Sequence, residues 1–200
     1  MKKVGPEHPV LQSTRLRMRP FSLDDIPEVN RLVGDYDVAT PLIAVDHPYT
    51  EDDARRWILK HRPGYEEGGA LNFAVEQRED GALVGFIGIG GNNSEAGMGY
   101  WYGRPFWGNG YATEAGRTTL AFGFEELLLQ RVKASHLSSN GASGRVLQKM
   151  DMRFIGRNPH YYTKWGKHCD KDEYAITWAG YQKAYTAAPD NYRYRRMAPP

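Results

Sequence analysis

The sequence predicts a mixed α/β protein, a sheet of hairpin-linked strands covered by helices. Three observations lead there. Apolar residues alternate with polar ones in several short stretches and recur at helical spacing in others, so both periods are present. Two alternating stretches are joined by Glu79-Asp80-Gly81, the chemistry of a tight hairpin turn rather than of a helical crossover. Strands and helices also interleave without the regular strand–helix–strand rhythm of a doubly wound parallel sheet.

The elements follow in chain order. Residues 15–20 read as a strand, with Leu16, Met18 and Pro20 alternating against Arg15, Arg17 and Arg19. Ser22, with Asp25 three positions on, starts a helix that runs toward Val33. Thr50 with Asp53 starts another, placing Ala54, Trp57, Ile58 and His61 on one face. Residues 71–78 and 82–90 are the two strands of the hairpin, and 97–103 is a fourth strand. A helix over 111–128 carries Gly116, Leu120, Phe124 and Leu127 at helical spacing. Residues 131–137 are again strand-like, and 142–150 form a short helix with Val146, Leu147 and Met150 together. Strands over 153–158 and 173–178 close the sheet. The division expected is an N-terminal extension over 1–10, one domain over 11–181, and a flexible tail over 182–200 rich in Ala, Pro, Asn, Tyr and Arg.

Composition narrows the function. The chain has 200 residues, 40% hydrophobic and 25% charged, which fits an ordinary globular protein. Its formal charge of +2 is too near neutral for a protein that coats nucleic acid. The longest apolar run, 83–91, is far short of the roughly 20 residues a membrane span needs. Met1-Lys2-Lys3-Val4-Gly5-Pro6 lacks the apolar run of a secretory signal, and the single cysteine, Cys169, has no partner for a disulfide. A reducing cytoplasm is therefore the expected compartment. His160, His168 and Cys169 do not have the spacing of a metal site, so no metal is expected.

The most informative segment is Arg104-Pro105-Phe106-Trp107-Gly108-Asn109-Gly110-Tyr111-Ala112-Thr113-Glu114-Ala115, which puts two glycines between a strand and a helix. Glycines there let successive backbone N–H groups converge on an anion, and the helix N-terminus adds partial positive charge. Other phosphate loops fail on spacing. A nucleoside-triphosphate loop needs Lys then Ser or Thr after its second Gly, but Asn109 and Gly110 follow Gly108. A dinucleotide fingerprint needs Gly or Ala at 113, which is Thr.

Gly99-Tyr100-Trp101, the Trp107-to-Ala115 segment, and Asn140-x-x-Ser143-x-x-Val146-Leu147-x-Lys149 together resemble the GNAT N-acetyltransferase superfamily. The likeness is to the branch of ribosomal-protein N-terminal acetyltransferases. Ser13-Thr14-Arg15-Leu16-Arg17-Met18-Arg19-Pro20 and Trp165-Gly166-Lys167-His168-Cys169-Asp170 extend it from about Leu11 to Tyr181. The resemblance implies a central, mostly antiparallel twisted sheet of about seven strands, helices on both faces, and a split between the fourth and fifth strands. It implies acetyl-coenzyme A as co-substrate, held by Tyr102, Gly103, Trp107, Gly108, Asn109, Gly110, Tyr111, Ala112, Thr113, Asn140 and Ser143. Two departures stand out: Pro105 occupies the usual Gln or Arg position of the loop, and Gly97 the position of a Glu two residues before Gly-Tyr-Trp.

The implied reaction is direct attack of a primary amine on the thioester, with both substrates bound. Ser143 is the candidate acid, against the alternative that Ser143 or Asn140 only caps the helix. Glu95 and His136 are candidate bases, against a water chain or an amine that arrives neutral. Tyr161, Tyr162 and Trp165 are candidates for lining an acceptor pocket, and Asp35, Asp37 and Asp46 for attracting a cationic amine. Arg193, Arg195 and Arg196, interleaved with Tyr192 and Tyr194, are candidates for RNA contact or simply a solvated tail. The acceptor expected is a protein N-terminus; a small amine is the alternative, and a coenzyme-binding sensor without turnover a further one. A monomer and a homodimer are both compatible with the sequence.

Overall fold

The computed structural model describes residues 7–91, 94–162 and 166–197, without the side chains at 160–162 and 167. The first half runs β1 (Val10–Gln12), β2 (Leu16–Arg19), α1 (Ile26–Val33), α2 (Tyr36–Ala39), α3 (Glu51–Leu59), α4 (His61–Glu66), β3 (Leu71–Gln77) and β4 (Leu83–Gly90). The second half runs β5 (Glu95–Tyr102), α5 (Tyr111–Glu125), β6 (Arg131–Leu137), α6 (Gly141–Lys149), β7 (Arg153–Tyr162), β8 (Lys167–Thr177), α7 (Trp178–Ala187) and β9 (Arg195–Met197). Short 3-10 turns lead into α1 and lie between β5 and α5.

The described strands form one sheet in the order β7-β8-β6-β5-β4-β3-β2-β1-β9. Every neighbouring pair is antiparallel except β5–β6. Nine strands stand where about seven were expected, and the two additional ones are β1 and β9. Both are three residues long and pair with each other, Val10 opposite Met197. So short a run has no readable period, and its partner lies at the other end of the chain.

The segment after 182, expected to fray, is helical through Ala187 and then supplies β9. Its anchor is Tyr192, which is buried and donates from Oη to Asp151 Oδ2 at 2.7 Å. Burial of a tyrosine ring stabilises on the order of 2 kcal/mol, enough to hold a short segment against its entropy.

The predicted helix starts hold. Thr50 Oγ1 accepts from Asp53 N–H at 3.2 Å while Asp53 Oδ2 accepts from Thr50 N–H at 2.9 Å, the reciprocal capping of α3. Ser22 and Asp25 pair in the same way, but they open the 3-10 turn Leu23–Asp25, and α1 begins after it. Helix α5 ends at Glu125, three residues before its expected end, and Leu128 takes a left-handed φ of 56°.

Both sheet faces are covered. Leu71, Phe73, Val75, Ile87 and Met98 pack with Leu120, Phe122 and Phe124 of α5 in one core. Ala74, Leu83 and Trp101 pack with Val29, Leu32, Ala54 and Ile58 of α1 and α3 in another. The feature that shapes the site is the parallel pair. Pairing of β5 with β6 is confined to Glu95–Arg131, Ala96–Val132 and Gly97–Lys133, although both strands continue to Tyr102 and Leu137. The sheet opens at Gly97, which is the split expected between the fourth and fifth predicted strands.

Candidate active site

An opened sheet leaves main-chain groups along one edge of β5 without a strand partner, and such groups bind extended polar chains. Three parts of the chain meet around this opening.

The first is the turn into α5. Gly108 and Gly110 have φ of 78° and 79°, the left-handed conformation in which glycine alone is unstrained. The first hydrogen bond of α5 runs from Glu114 N–H to Gly110 O at 3.0 Å. The amides of Tyr111, Ala112 and Thr113 precede it and have no carbonyl to donate to within the helix. The loop is braced from behind: Trp107 Nε1 donates to Tyr102 O at 2.7 Å, and the Asn109 side chain donates to Phe106 O at 3.2 Å. Arg104, beside the departure at Pro105, pairs with Asp37 at 2.9 Å. Gly103 is fixed by crowding, since a Cβ there would lie 2.4 Å from Leu32 Cδ2.

Glu114 puts a carboxylate in the first turn of α5, where it would repel a diphosphate. The structure turns it away. Its Oε1 accepts from Ser13 Oγ and Arg15 N–H, each at 2.8 Å, and its Oε2 from Arg15 Nε at 2.7 Å. Arg15 also lies over the Tyr111 ring at 4.8 Å.

The second part is α6. Asn140 is its N-cap, with Oδ1 accepting from Ser143 N–H at 3.2 Å. The capping role considered for Asn140 is therefore filled, and Ser143 Oγ is left for another partner. That partner is Tyr100 Oη, 2.8 Å away across the opening. Burial pushes the Tyr100 phenol up to about 12, with the Ser143 hydrogen bond pulling the other way. Tyr100 was noticed in the sequence as part of a motif but not as a site residue. The signal was its parity: along β5 it follows Ala96 and Met98 toward the α5 face.

The third part is the opposite face of β5. Gly97 and Gly99 are exposed there and pair across to Gly90 and Gly88 of β4, so four glycines share one face. A Cβ at Gly99 would meet nothing within 4 Å, and one at Gly97 only Gly90 O at 3.8 Å. Phe86 and Trp101 end the strip, continuing into a cluster with Trp57, Phe21 and His61. His61 is held neutral, its pKa lowered to about 4 chiefly by burial.

The remaining candidates separate. Glu95 lies on the same face as Gly97, but Lys133 Nζ sits 2.7 Å from it, and that hydrogen bond lowers its pKa. This is the wrong direction for a base near neutral pH. His136 is buried; its Nδ1 donates to Leu137 O at 2.7 Å, and its Nε2 has no partner. Gly144 of α6 lies over the ring, where a Cβ would be 2.8 Å from Nε2. Tyr102 is buried with an unpartnered hydroxyl, and burial raises its pKa well above the ordinary phenol value. Asp35 caps α2 through Asp37 N–H at 2.9 Å, and Asp46 is exposed. The side chains of Tyr161 and Tyr162, and Trp165 entirely, lie outside the described residues. Arg193 pairs with Asp190 at 3.0 Å and Arg196 with Glu126 at 3.6 Å. Among the described residues no helix is long and apolar enough to cross a membrane, and no group of three His, Cys, Asp or Glu could hold a metal ion.

A sheet opened beside a parallel pair, with a glycine turn feeding a helix N-terminus, offers unpaired main-chain donors to an extended, anionic ligand. Comparison with known proteins makes the assignment specific: residues 15–153 match the acetyltransferase (GNAT) domain, and the chain belongs to that family of acetyltransferases. It is 30% identical to an uncharacterised N-acetyltransferase of Bacillus subtilis, YnaD, over 171 residues covering 83% of this chain and 95% of that one. A GNAT-family acetyltransferase from Bacillus anthracis superposes with a TM-score of 0.76 at 28% identity, over 85% of this chain and 99% of the other. Mycobacterium smegmatis RimJ, solved with CoA-disulfide, shares the fold at a TM-score of 0.77 and 24% identity, over 95% and 98% of the two chains.

Proposed function

We propose that the chain moves the acetyl group of acetyl-coenzyme A to a primary amine, in the first place the α-amine of a protein N-terminus. The amides from Gly108 to Thr113 take the coenzyme's diphosphate, and the pantetheine arm enters the opening beyond Gly97. The amine nitrogen attacks the thioester carbonyl, the C–S bond breaks, and the proton lost by nitrogen ends on the sulfur. Ser143 Oγ donates to the developing thiolate, while Tyr100 donates to Ser143 and holds it in place. A main-chain N–H on the free edge of β5 serves the oxyanion. The hydrogen bond between Tyr100 and Ser143 carries this reading, because it pairs two hydroxyls beside the free edge of β5 and leaves one of them able to donate onward.

The choice of α-amine rests on Gly97. With glycine at the family's Glu position and Glu95 tied to Lys133, the acceptor must lose its proton to water. At pH 7 an α-amine with pKa near 7.8 is neutral roughly 300 times more often than an alkyl amine with pKa near 10.4. The open Gly97–Gly99 strip also admits an extended peptide without a side-chain clash. The test is thiol release from acetyl-coenzyme A with peptides beginning Ala or Ser, set against polyamines and aminoglycosides. Release with small amines alone would sink the α-amine assignment, and tight coenzyme binding without any release would sink turnover itself.

A further inference from the structure

The glycine strip on β4 and β5 is bordered by one polar side chain that no other group in the fold has engaged. In the strand register Asn72 of β3 lies opposite Gly88 of β4, and Gly88 opposite Gly99 of β5. All three belong to the face that carries Gly97. With no side chain at 88 to stop it, the Asn72 amide leans across the strip. A Cβ at Gly88 would lie 2.8 Å from Asn72 Oδ1 and 2.8 Å from Phe86 Cζ. Ala70 closes over Gly90 in the same way, 2.5 Å from where a Cβ would be, whereas a Cβ at Gly99 would meet nothing within 4 Å. The strip is thus a trough, open above β5 and walled along β3 and β4 by Phe86, Asn72 and Ala70. Two carboxylates on this face are engaged, Glu76 by Arg19 and Glu95 by Lys133. Asn72 is half-buried, and its carboxamide makes no hydrogen bond among the described residues.

We propose that Asn72 determines specificity by reading the first peptide group of the acceptor, its carboxamide donating to the carbonyl and accepting from the N–H. This rests on the α-amine reading above and says how the α-amine is told apart from other amines. A carboxamide suits a peptide group because each presents N–H and C=O in one plane. Every protein N-terminus carries a peptide group on the carbon that bears its amine. A lysine side chain, a polyamine and an aminoglycoside have none there. Neighbouring strands are about 4.8 Å apart and an extended chain advances about 3.4 Å per residue. An amine standing over Gly99 therefore brings its first peptide group to the Asn72 amide above Gly88. A site built to hydrogen-bond a group selects against analogues that lack it, because its own polar atoms then go unserved. Contact with the main chain alone also leaves the acceptor's first side chain unread by Asn72.

The experiment is steady-state thiol release from acetyl-coenzyme A with an alanyl peptide and with isopropylamine, which keeps alanine's amine and methyl but has no peptide group. Each kcat/KM is divided by the neutral fraction of its amine, so that acidity drops out of the comparison. Wild type should then favour the peptide by roughly tenfold or more, the size of one or two hydrogen bonds. Asn72→Leu keeps the shape and removes both bonds. It should lower the ratio of peptide to isopropylamine by roughly fivefold or more, through the peptide KM, with the coenzyme KM moving less than about twofold. Asn72→Ser, whose hydroxyl stops short of Gly88, should lower the ratio likewise and covers the case of a leucine that packs badly. No preference in wild type, an undiminished ratio in the variants, equal losses on both amines, or a loss lodged in the coenzyme KM would each overturn the proposal and leave acetyl transfer to an α-amine standing. Wild-type release with isopropylamine alone would remove the α-amine reading and this role with it.

Discussion

Tyr100 and Ser143 hold their hydroxyl oxygens 2.8 Å apart across the opening between β5 and β6. The two residues come from different elements, and the bond joins them at the place where the sheet itself is no longer joined. Tyr100→Phe keeps the ring and removes only that bond. Turnover should fall severalfold or more, with the acetyl-coenzyme A KM changed less than twofold. Ser143→Ala should cost tenfold or more, within the range of general-acid contributions. The double variant should be no slower than Ser143→Ala, because Tyr100 acts through Ser143. Additive losses in steady-state thiol release would mean that the two act independently.

Little of that pair was legible in the sequence. Ser143 and Tyr100 each stood out only within a motif, and their meeting depends on how β6 and α6 return the chain to β5. Local chemistry was legible: the capping pairs, the Asp80-Gly81 hairpin and the glycine turn each act within a few residues. Long-range pairing was not. β1 and β9 meet from opposite ends of the chain, β7 and β8 are each longer than their expected cores, and the tail is held by the rings of Tyr192 and Tyr194 together with the β1–β9 pairing. Glu95 shows the same limit, since its partner Lys133 lies on the neighbouring strand.

Gly110→Ala tests the loop. At a φ of 79° a Cβ costs about 1–2 kcal/mol, so the turn either distorts or destabilises the chain. Acetyl-coenzyme A affinity should drop by roughly tenfold, and the coenzyme-induced rise in melting temperature should shrink accordingly. An unchanged rise would show that the amides after Gly110 are not the diphosphate ligands.

Arg19 sits between two buried carboxylates, donating to Asp25 Oδ1 and Oδ2 at 2.7 and 2.8 Å and to Glu76 Oε1 at 2.6 Å. Arg19→Met fills the space, leaves the Asp25 carboxylate without a cation and leaves Glu76 with only the longer Arg17 contact at 3.3 Å. The expected loss is about 3–5 kcal/mol, or a melting temperature lower by about 10 °C. Loss under 1 kcal/mol in urea titration would mean that water reaches the acids.

The pH profile tests the deprotonation route. Tyr100, near 12, stays protonated below about pH 10 and contributes no limb there. Glu95, its pKa already lowered by Lys133, stays ionised from weakly acidic pH upward and contributes none either. With a peptide acceptor, kcat/KM should therefore rise with pH and level near the amine's own pKa, about 8. Levelling well below the amine's own pKa would instead mean that a group of the protein takes the proton.

Gly97 offers the converse test, by putting back what the family motif has there. A side chain at 97 has room, since its Cβ would meet only Gly90 O at 3.8 Å, and it would face the glycine strip proposed to take the amine. Lys133 is opposite in the strand register and is already held by Glu95 at 2.7 Å, so a new carboxylate would act as base beside an ammonium whose charge a neighbour partly offsets. Gly97→Gln supplies the same bulk without the charge and is the proper reference. At pH 7, Gly97→Glu should exceed Gly97→Gln by tenfold or more in kcat/KM on an alkyl amine, and by much less on an N-terminal peptide. The asymmetry follows from the neutral fractions: a base helps most where a free neutral amine is rarest. Equal rates for the two variants on the alkyl amine would mean that proton removal does not limit the reaction, and the preference for α-amines would then have to come from contacts with the acceptor.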